Sequence, residues 1–238
     1  MIARYAETWV SWTTPVIVNV AARSVRDFVE IVRRLDGVPG VAAVELNLSC
    51  PNVDAGGALF ATDVLAAAEV TAAVRRATDL PLVAKLSPNV TQIRPIARAV
   101  AAAGADALSA INAVAGVAVG LDAGGRTLLD DATGGLSGPA VKPIALRVVS
   151  EIVASVRIPV IAIGGVTSLA DVLDFLAVGA VAVGVGSAVF ADPGLPVQLV
   201  ESLAETCGAR GATSYRDLIG TAVAKPQRPM VRSVLASE

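Results

Sequence analysis

The alternation of two apolar patterns constrains the fold of this chain more than any other feature. Six short runs rich in Val, Ile, Leu and Ala alternate with longer stretches in which apolar residues recur every three or four positions. The short runs predict strands that are buried on both faces, and the longer stretches predict helices. Regular alternation of strand and helix predicts a parallel sheet with right-handed crossovers. The predicted strands cover residues 15–20, 43–48, 81–86, 106–112, 159–163 and 180–186.

The predicted helices carry recognisable start and stop signals. A Ser, Thr or Asp before the apolar periodicity can cap the free N–H groups of a first turn, and a Gly after a helix favours its termination. Residues 1–14, which include Trp9 and Trp12, are predicted to form a helix before the first strand. Further helices are expected after Ser24, Asp63, Thr91 and Ser168 and from Lys142, with Gly104 and Gly179 ending two of them.

Polar residues and glycines gather where the predicted strands end, as at Asn19, Lys85 and Asn112. An open doubly wound sheet would concentrate this signal in its first strand–helix turn, which has no GxGxxG motif here. A TIM barrel instead places its site at the C-terminal ends of many strands. We therefore predict an α/β fold of the TIM (β/α)8 type, with residues 1–238 forming a single domain.

Six predicted strands do not close an eight-stranded barrel. The segment before the first strand has room for a helix but not for two further strand–helix units. We expect either that two N-terminal strands are missing from the chain or that the fold departs from the usual strand count.

Composition excludes several classes of function. The chain has 238 residues, a formal net charge of −2 and no long basic run, so it lacks the electrostatic features of a nucleic-acid-binding protein. No apolar run approaches the roughly 18 residues of a membrane-spanning helix. Two cysteines are too few for a disulfide framework, and the cytoplasm is the expected compartment. The absence of histidine excludes Ser-His-Asp and Cys-His nucleophilic chemistry and nearly all zinc hydrolase chemistry.

The segment Asn47-Leu48-Ser49-Cys50-Pro51-Asn52 ends the second predicted strand and carries the sharpest chemical signal. Two interpretations stay open for its thiol. Cys50 can be a small buried apolar residue among turn-forming Asn side chains. Alternatively, a thiolate near a barrel mouth can act as a base in a chain without histidine.

Lys85 and the glycine pairs indicate an anionic ligand. A Lys at the end of an apolar strand either reaches water with its ammonium or meets an anion in the barrel mouth. Gly164-Gly165 and Gly186-Ser187 follow the last two predicted strands, where barrels commonly bind phosphate through backbone amides. Together these features favour a phosphorylated ligand.

Six motifs, in order, resemble the dihydroorotate dehydrogenase family, specifically its cytosolic class 1. They are NLSCPN from Asn47, KLSPNVT from Lys85, the strand end at Asn112, GGLSGPAVKPIALR from Gly134, IPVIAIGGV from Ile158 and AVGVGSAVFADP from Ala182. The resemblance runs from about residue 14 to about residue 220, and the long GGLSGPAVKPIALR form resembles the subclass that reduces NAD through an FAD/iron–sulfur partner subunit.

This resemblance implies an FMN oxidoreductase that converts dihydroorotate to orotate in pyrimidine biosynthesis, and it allows a homodimer. Cys50 would remove the substrate's C5 proton while hydride leaves C6 for the flavin. The substrate would be met by Asn47, Asn52 and Asn112 and by the position of Ala113. FMN would be held by Asn19, Asn47, Lys85, Ile111, Gly138, Gly164, Gly165, Gly186 and Ser187.

Three departures from the family pattern accompany the resemblance. Ala113 stands where the family has Thr or Ser, and one residue is inserted between positions 116 and 130. The family's first two strands, with a flavin-contacting Lys and a substrate-gripping Asn/Gly loop, have no counterpart. Two alternatives therefore stay open: a relative of dihydropyrimidine dehydrogenase, against which Asn52 argues because that enzyme resembles NLSCPH here, and an inactive barrel remnant or binding module.

Overall fold

The structure, a computed structural model, describes residues 2–52, 58–119 and 133–222. All six predicted strands are present there and form a single parallel sheet. Its strands are β1 (Val16–Val20), β2 (Val41–Asn47), β5 (Leu82–Leu86), β6 (Ala107–Ala110), β9 (Val160–Ile163) and β10 (Ala182–Gly184). Two short antiparallel hairpins, which the sequence did not predict, are β3 (Pro51–Asn52) with β4 (Ala58–Leu59) and β7 (Val114–Gly116) with β8 (Gly134–Leu136).

The order of the six strands distinguishes a barrel from a doubly wound sheet. Each of the six strands lies beside the one of the six that precedes it in the chain, in the order β1-β2-β5-β6-β9-β10. A doubly wound sheet reverses its order at a switch point, whereas a barrel adds strands in one direction. The parallel sheet therefore represents six strands of a (β/α) barrel, as predicted from the strand-end residues.

Six of the eight helices in the described ranges follow the predicted positions, and four of them pack against the strands of the sheet. The eight helices of these ranges are α1 (Ile2–Val10), α2 (Val25–Leu35), α3 (Val64–Arg75), α4 (Ile93–Ala102), α5 (Lys142–Val153), α6 (Leu169–Ala177), α7 (Ala188–Ala191) and α8 (Leu195–Ala209). Ser24, Asp63 and Ser168 cap α2, α3 and α6 through their side chains, as expected. Gly104 and Gly179, both with φ of +105°, follow α4 and α6. Helices α7 and α8 were not predicted.

The two faces of the sheet differ in chemistry. Val44 and Leu46 of β2 point outward and are fully buried beneath the helices. The alternate residues of the same strand, Glu45 and Asn47, point inward and are half-buried. Apolar packing therefore holds the helices to β2, while the inner face of this strand carries polar side chains. Within the three described ranges, no helix combines the length and hydropathy needed to cross a membrane.

Candidate active site

A cavity of about 500 Å³ opens at the carboxyl ends of β6, β9 and β10. The N-terminal end of α5, the turn after β8 and the start of α7 complete its wall. This is the position that barrels use for their active sites. Eight residues predicted to bind cofactor or substrate line it together: Ile111, Asn112, Ala113, Gly138, Gly164, Gly165, Gly186 and Ser187.

Gly164 and Gly165 have a conformation that only glycine adopts easily. Their φ values are +135° and +76°. A Cβ on Gly164 would come within 2.9 Å of the Ala145 Cβ, and one on Gly165 would come within 2.8 Å of the Lys142 backbone nitrogen. The turn after β9 therefore packs closely against α5 because both positions lack side chains.

The turns after β9 and β10 present free backbone donors beside the cavity. Across the described ranges, the N–H groups of Gly164, Gly165, Gly186 and Ser187 donate to no other protein group. A Cβ on Gly186 would meet no atom within 4 Å, so the space beside this residue is open. Free amides around an open space suit the phosphate of FMN, whose oxygens accept hydrogen bonds from backbone N–H groups. The residues present therefore fit the predicted cofactor.

Asn47 and Asn112 are joined at the ends of β2 and β6. The Asn112 Nδ2 donates to the Asn47 Oδ1 at 2.8 Å and to the Ser49 Oγ at 2.6 Å. The Ser49 N–H also donates to the Asn47 Oδ1, at 3.3 Å. Residues 65 positions apart in the chain thus form a polar cluster beside the cavity. Amide groups held in this way can offer donors and acceptors to the polar edge of a planar ring.

Cys50 lies in the turn that follows β2, next to this cluster. Its N–H donates to the Asn47 carbonyl at 3.4 Å, and its own carbonyl accepts from the Phe60 N–H at 3.3 Å. Partial burial raises the pKa of the thiol, while a hydrogen bond from the Ala22 backbone and the charge of Arg23 act in the opposite direction. A half-buried thiol with a backbone donor and a cation nearby can exchange a proton.

Asn19 and Lys85 lie on the inner face of the sheet, where both meet Glu45. The Asn19 Nδ2 donates to the Glu45 Oε1 at 2.5 Å, and the Lys85 Nζ lies 3.7 Å from the same oxygen. Sequence reasoning missed Glu45. The available signal was a carboxylate inside an otherwise apolar strand, two residues before Asn47 and therefore on the same face.

Ala113 lies on the cavity wall, where Asn89 fixes its backbone. The Asn89 Nδ2 donates to the Ala113 carbonyl at 3.1 Å, and its Oδ1 accepts from the Ala115 N–H at 2.8 Å. Asn52 pairs with Ala58 in the β3–β4 hairpin, but its side chain lies outside the described part of the structure. The insertion predicted between positions 116 and 130 falls mainly on residues outside the described ranges.

Comparison with known proteins identifies the family. Residues 2–207 match the family model for dihydroorotate dehydrogenase. Three relatives share the name dihydroorotate dehydrogenase B (NAD(+)), catalytic subunit. The relative from Geobacter sulfurreducens is 49% identical over 207 residues, covering 87% of this chain and 68% of the relative.

The other two of these relatives give similar matches. The one from Trichlorobacter lovleyi is 47% identical over 210 residues, covering 88% of this chain and 69% of its own length. The one from Desulforudis audaxviator is 45% identical over 208 residues, covering 87% of this chain and 67% of its own length. With a family match across residues 2–207 and relatives at this level of identity, the chain belongs to the dihydroorotate dehydrogenase family.

Proposed function

We propose that this chain is an oxidoreductase that converts dihydroorotate to orotate with FMN, as part of pyrimidine biosynthesis. The observation that carries the proposal is the match to dihydroorotate dehydrogenase catalytic subunits over 87% of the chain. The cavity at the carboxyl ends of the strands supports it independently, because its glycine-lined and amide-lined parts suit a flavin phosphate and a planar polar substrate.

FMN would be held from two sides. The free N–H groups of Gly164, Gly165, Gly186 and Ser187 would bind its phosphate. Lys85 and Asn19, on the inner face of the sheet, would meet the ring system together with Asn47, Ile111 and Gly138. Lys85 has a partly buried side chain and can place a positive charge where negative charge develops on the ring.

The substrate would be oriented by amide side chains. Asn47 and Asn112 already hold each other at 2.8 Å, so neither has to lose much conformational freedom when a ligand binds. Asn52 is proposed as a third contact. Ala113 is proposed to line the same subsite without offering a side-chain hydrogen bond.

Cys50 is proposed as the base that removes the C5 proton of dihydroorotate. The thiolate takes the proton and becomes a thiol, which then has to release the proton to solvent before the next turnover. FMN supplies the acceptor for the hydride that leaves C6, so the substrate loses one proton and one hydride and becomes orotate. The Ala22 N–H and the Arg23 charge favour the thiolate against the effect of burial.

The relatives' shared name, a catalytic subunit of an NAD(+) enzyme, indicates that a second subunit accompanies them. We propose that this chain likewise passes electrons to a partner subunit that carries FAD and an iron–sulfur cluster, with NAD as the final acceptor. A homodimer of the catalytic chain is proposed on the family resemblance.

Titration with FMN and with riboflavin tests the cofactor assignment. Because the free amides are proposed to bind the phosphate, FMN should bind more tightly than riboflavin. The fluorescence of FMN should therefore be quenched at protein concentrations at least tenfold below those needed for riboflavin. Gly165→Ala should lose most of this difference, since its Cβ would press on the Lys142 backbone. Equal affinity for both flavins would contradict the assignment of the phosphate site.

A further inference from the structure

A carboxylate from β2 connects the inner faces of four strands. The Glu45 Oε1 accepts from Asn19 of β1 at 2.5 Å, and its Oε2 accepts from the Ser109 hydroxyl of β6 at 2.6 Å. The Lys85 ammonium of β5 lies 3.7 Å from the Oε1. Both carboxylate oxygens therefore have a hydrogen-bond donor, and a cation lies beside them.

The ion pair between Glu45 and Lys85 is shielded from solvent. The Glu45 side chain is 13% exposed and the Lys85 side chain is 18% exposed. A charge pair in such surroundings is screened less than a surface pair, so each charge strongly affects whatever binds beside it. The pair adds no net charge to the inner face, whereas Lys85 alone would add one positive charge.

Lys85 lies close enough to Glu45 for an ion pair but does not donate a hydrogen bond to it. In the part of the chain that the structure describes, its ammonium donates no hydrogen bond. Lys142 offers a contrast, because its Nζ lies 2.5 Å from Asp171 and 2.7 Å from Asp174. The donors of Lys142 are directed to its own carboxylates, while those of Lys85 are available to a ligand.

We propose that Glu45 is a positioning residue that orients Lys85 and Asn19 toward the flavin ring and lowers the positive charge that the ring meets. This inference rests on the proposed FMN site. By offsetting the Lys85 charge, Glu45 disfavours the negatively charged reduced ring and so holds the flavin's reduction potential down. The bound flavin would then pass its electrons on more readily to a partner.

Glu45→Gln tests this role by removing the charge while keeping the shape of the side chain. The reduced form of bound FMN should become more tightly bound relative to the oxidised form, on the order of tenfold. For a two-electron couple, a tenfold change corresponds to a positive shift of about 30 mV. The shift is measured by equilibrating the FMN-loaded protein with redox dyes of known potential.

Two further variants separate this effect from a general loss of structure. Glu151→Gln removes a carboxylate that pairs with Arg147 on the surface of α5, and it should leave the potential unchanged. Lys85→Met should lower the potential, and adding Glu45→Gln to it should raise the potential again toward that of the unaltered protein, because the two charges act on the ring in opposite directions. An unchanged or lowered potential in Glu45→Gln, or a double variant that stays at the potential of Lys85→Met, would overturn the proposal.

A measurement without FMN keeps the proposal falsifiable if a variant binds the cofactor poorly. In urea unfolding of the cofactor-free protein, the Glu45→Gln and Lys85→Met effects should be coupled, so that the double variant departs about fivefold from additivity in its unfolding constant. Additive effects would overturn the positioning role. Failure of the unaltered protein to bind FMN would instead count against the proposed function, and the unfolding cycle would still decide whether Glu45 and Lys85 are coupled.

Discussion

Cys50 combines partial burial, a backbone donor and a nearby cation, and these three influences determine how it can act as a base. If its role is proton removal, replacement should affect the chemical step and leave cofactor binding intact. Cys50→Ala should therefore lower the rate of flavin reduction by dihydroorotate by roughly 10²- to 10⁴-fold, with FMN affinity unchanged.

Cys207 provides the matched control for this variant. It is a free cysteine buried in α8, away from the proposed site, so Cys207→Ala should retain the full rate. Cys50→Ser should keep slight activity, mainly at high pH, because a hydroxyl is a weaker base. Normal turnover by Cys50→Ala would mean that the base lies elsewhere.

The pH dependence of the reaction follows from the raised pKa of the Cys50 thiol. Burial favours the neutral thiol, so the reactive thiolate increases as pH rises, and the rate of flavin reduction should rise with it toward a plateau. Arg23→Ala removes a charge that stabilises the thiolate, so the rising limb should move to higher pH. Arg23→Lys should restore its position, as measured by stopped-flow reduction across a pH series. A limb that is unmoved by Arg23→Ala would exclude Arg23 from this role.

Ala113 is the residue at which the site departs from its family's pattern. A hydroxyl there could donate to orotate beside Asn112, and an unmatched polar atom in a buried site costs about 1–3 kcal/mol. Ala113→Thr should therefore tighten orotate binding about tenfold to a hundredfold, as measured from the absorbance of bound FMN. Ala113→Val has the same shape without the hydroxyl, so equal tightening by both variants would rule out a hydrogen bond.

Some residues of the site could be predicted from the sequence, and others could not. Asn47 and Asn112 could be paired because each ends a predicted strand, and the structure joins them at 2.8 Å. Glu45 could not be placed in a cluster, because its partners on β1, β5 and β6 are brought together only by strand register. A carboxylate within a buried strand indicates that a hydrogen-bond donor or a cation must pair with it, but the sequence does not show which residue that is.

At the level of secondary-structure elements, a partly buried ion pair joins α5 and α6 next to the turn at Gly164 and Gly165. Asp171 of α6 accepts from the Lys142 ammonium at the start of α5 at 2.5 Å. It also accepts from the N–H groups of Thr167 and Ser168, both at 2.9 Å. The Gly165 backbone lies against Lys142. The turn after β9 is therefore held by the hydrogen bonds to Asp171 and by the contact of Gly165 with Lys142.

Removal of the Asp171 charge should destabilise the protein in a pH-dependent way. Burial alone would raise the pKa of its carboxyl, but hydrogen bonds from Lys142, Thr167 and Ser168 outweigh it and hold the pKa well below its usual range. Asp171→Asn should therefore cost about 2 kcal/mol in the free energy of unfolding at pH 7.

The difference from the unaltered protein should shrink as the pH falls below about 4, because the Asp171 carboxyl of the unfolded chain then binds a proton that the folded protein takes up only at much lower pH. Urea unfolding at a series of pH values measures this difference. Asp174→Asn is the control, since that side chain is 54% exposed and its pairing should contribute less than about 1 kcal/mol. A constant difference across the pH range would contradict the assignment.

The principal strands were predictable because each is a short, mostly apolar run. The capped helices were predictable because Ser24 and Ser168 precede clear periodicity. The β3–β4 and β7–β8 hairpins were not, since pairs as short as Pro51–Asn52 with Ala58–Leu59 have too few residues to show a period. Helix α8 escaped prediction although Pro196 stands near its start, a position where proline is common.

On the scale of the whole molecule, the sheet retains two open edges. Among the described residues, β1 pairs with β2 alone and β10 with β9 alone. Ile17, on the inner face of β1, is 48% exposed. In a closed eight-stranded barrel, two further strands would lie between these edges. The number of strands was predicted from the sequence. What lies against the edges at β1 and β10 was not predicted, because no contact within the described sheet determines it.

The central claim is that this chain, loaded with FMN, removes a hydride and a proton from dihydroorotate. Anaerobic mixing of the FMN-loaded protein with dihydroorotate tests it most directly, with the flavin's visible absorbance and the orotate formed as the two readouts. We predict bleaching of the bound flavin with one orotate formed per flavin, and no bleaching with dihydrouracil, which lacks the carboxylate. Bleaching by dihydrouracil in preference to dihydroorotate, or a bound flavin that neither compound reduces, would contradict the account.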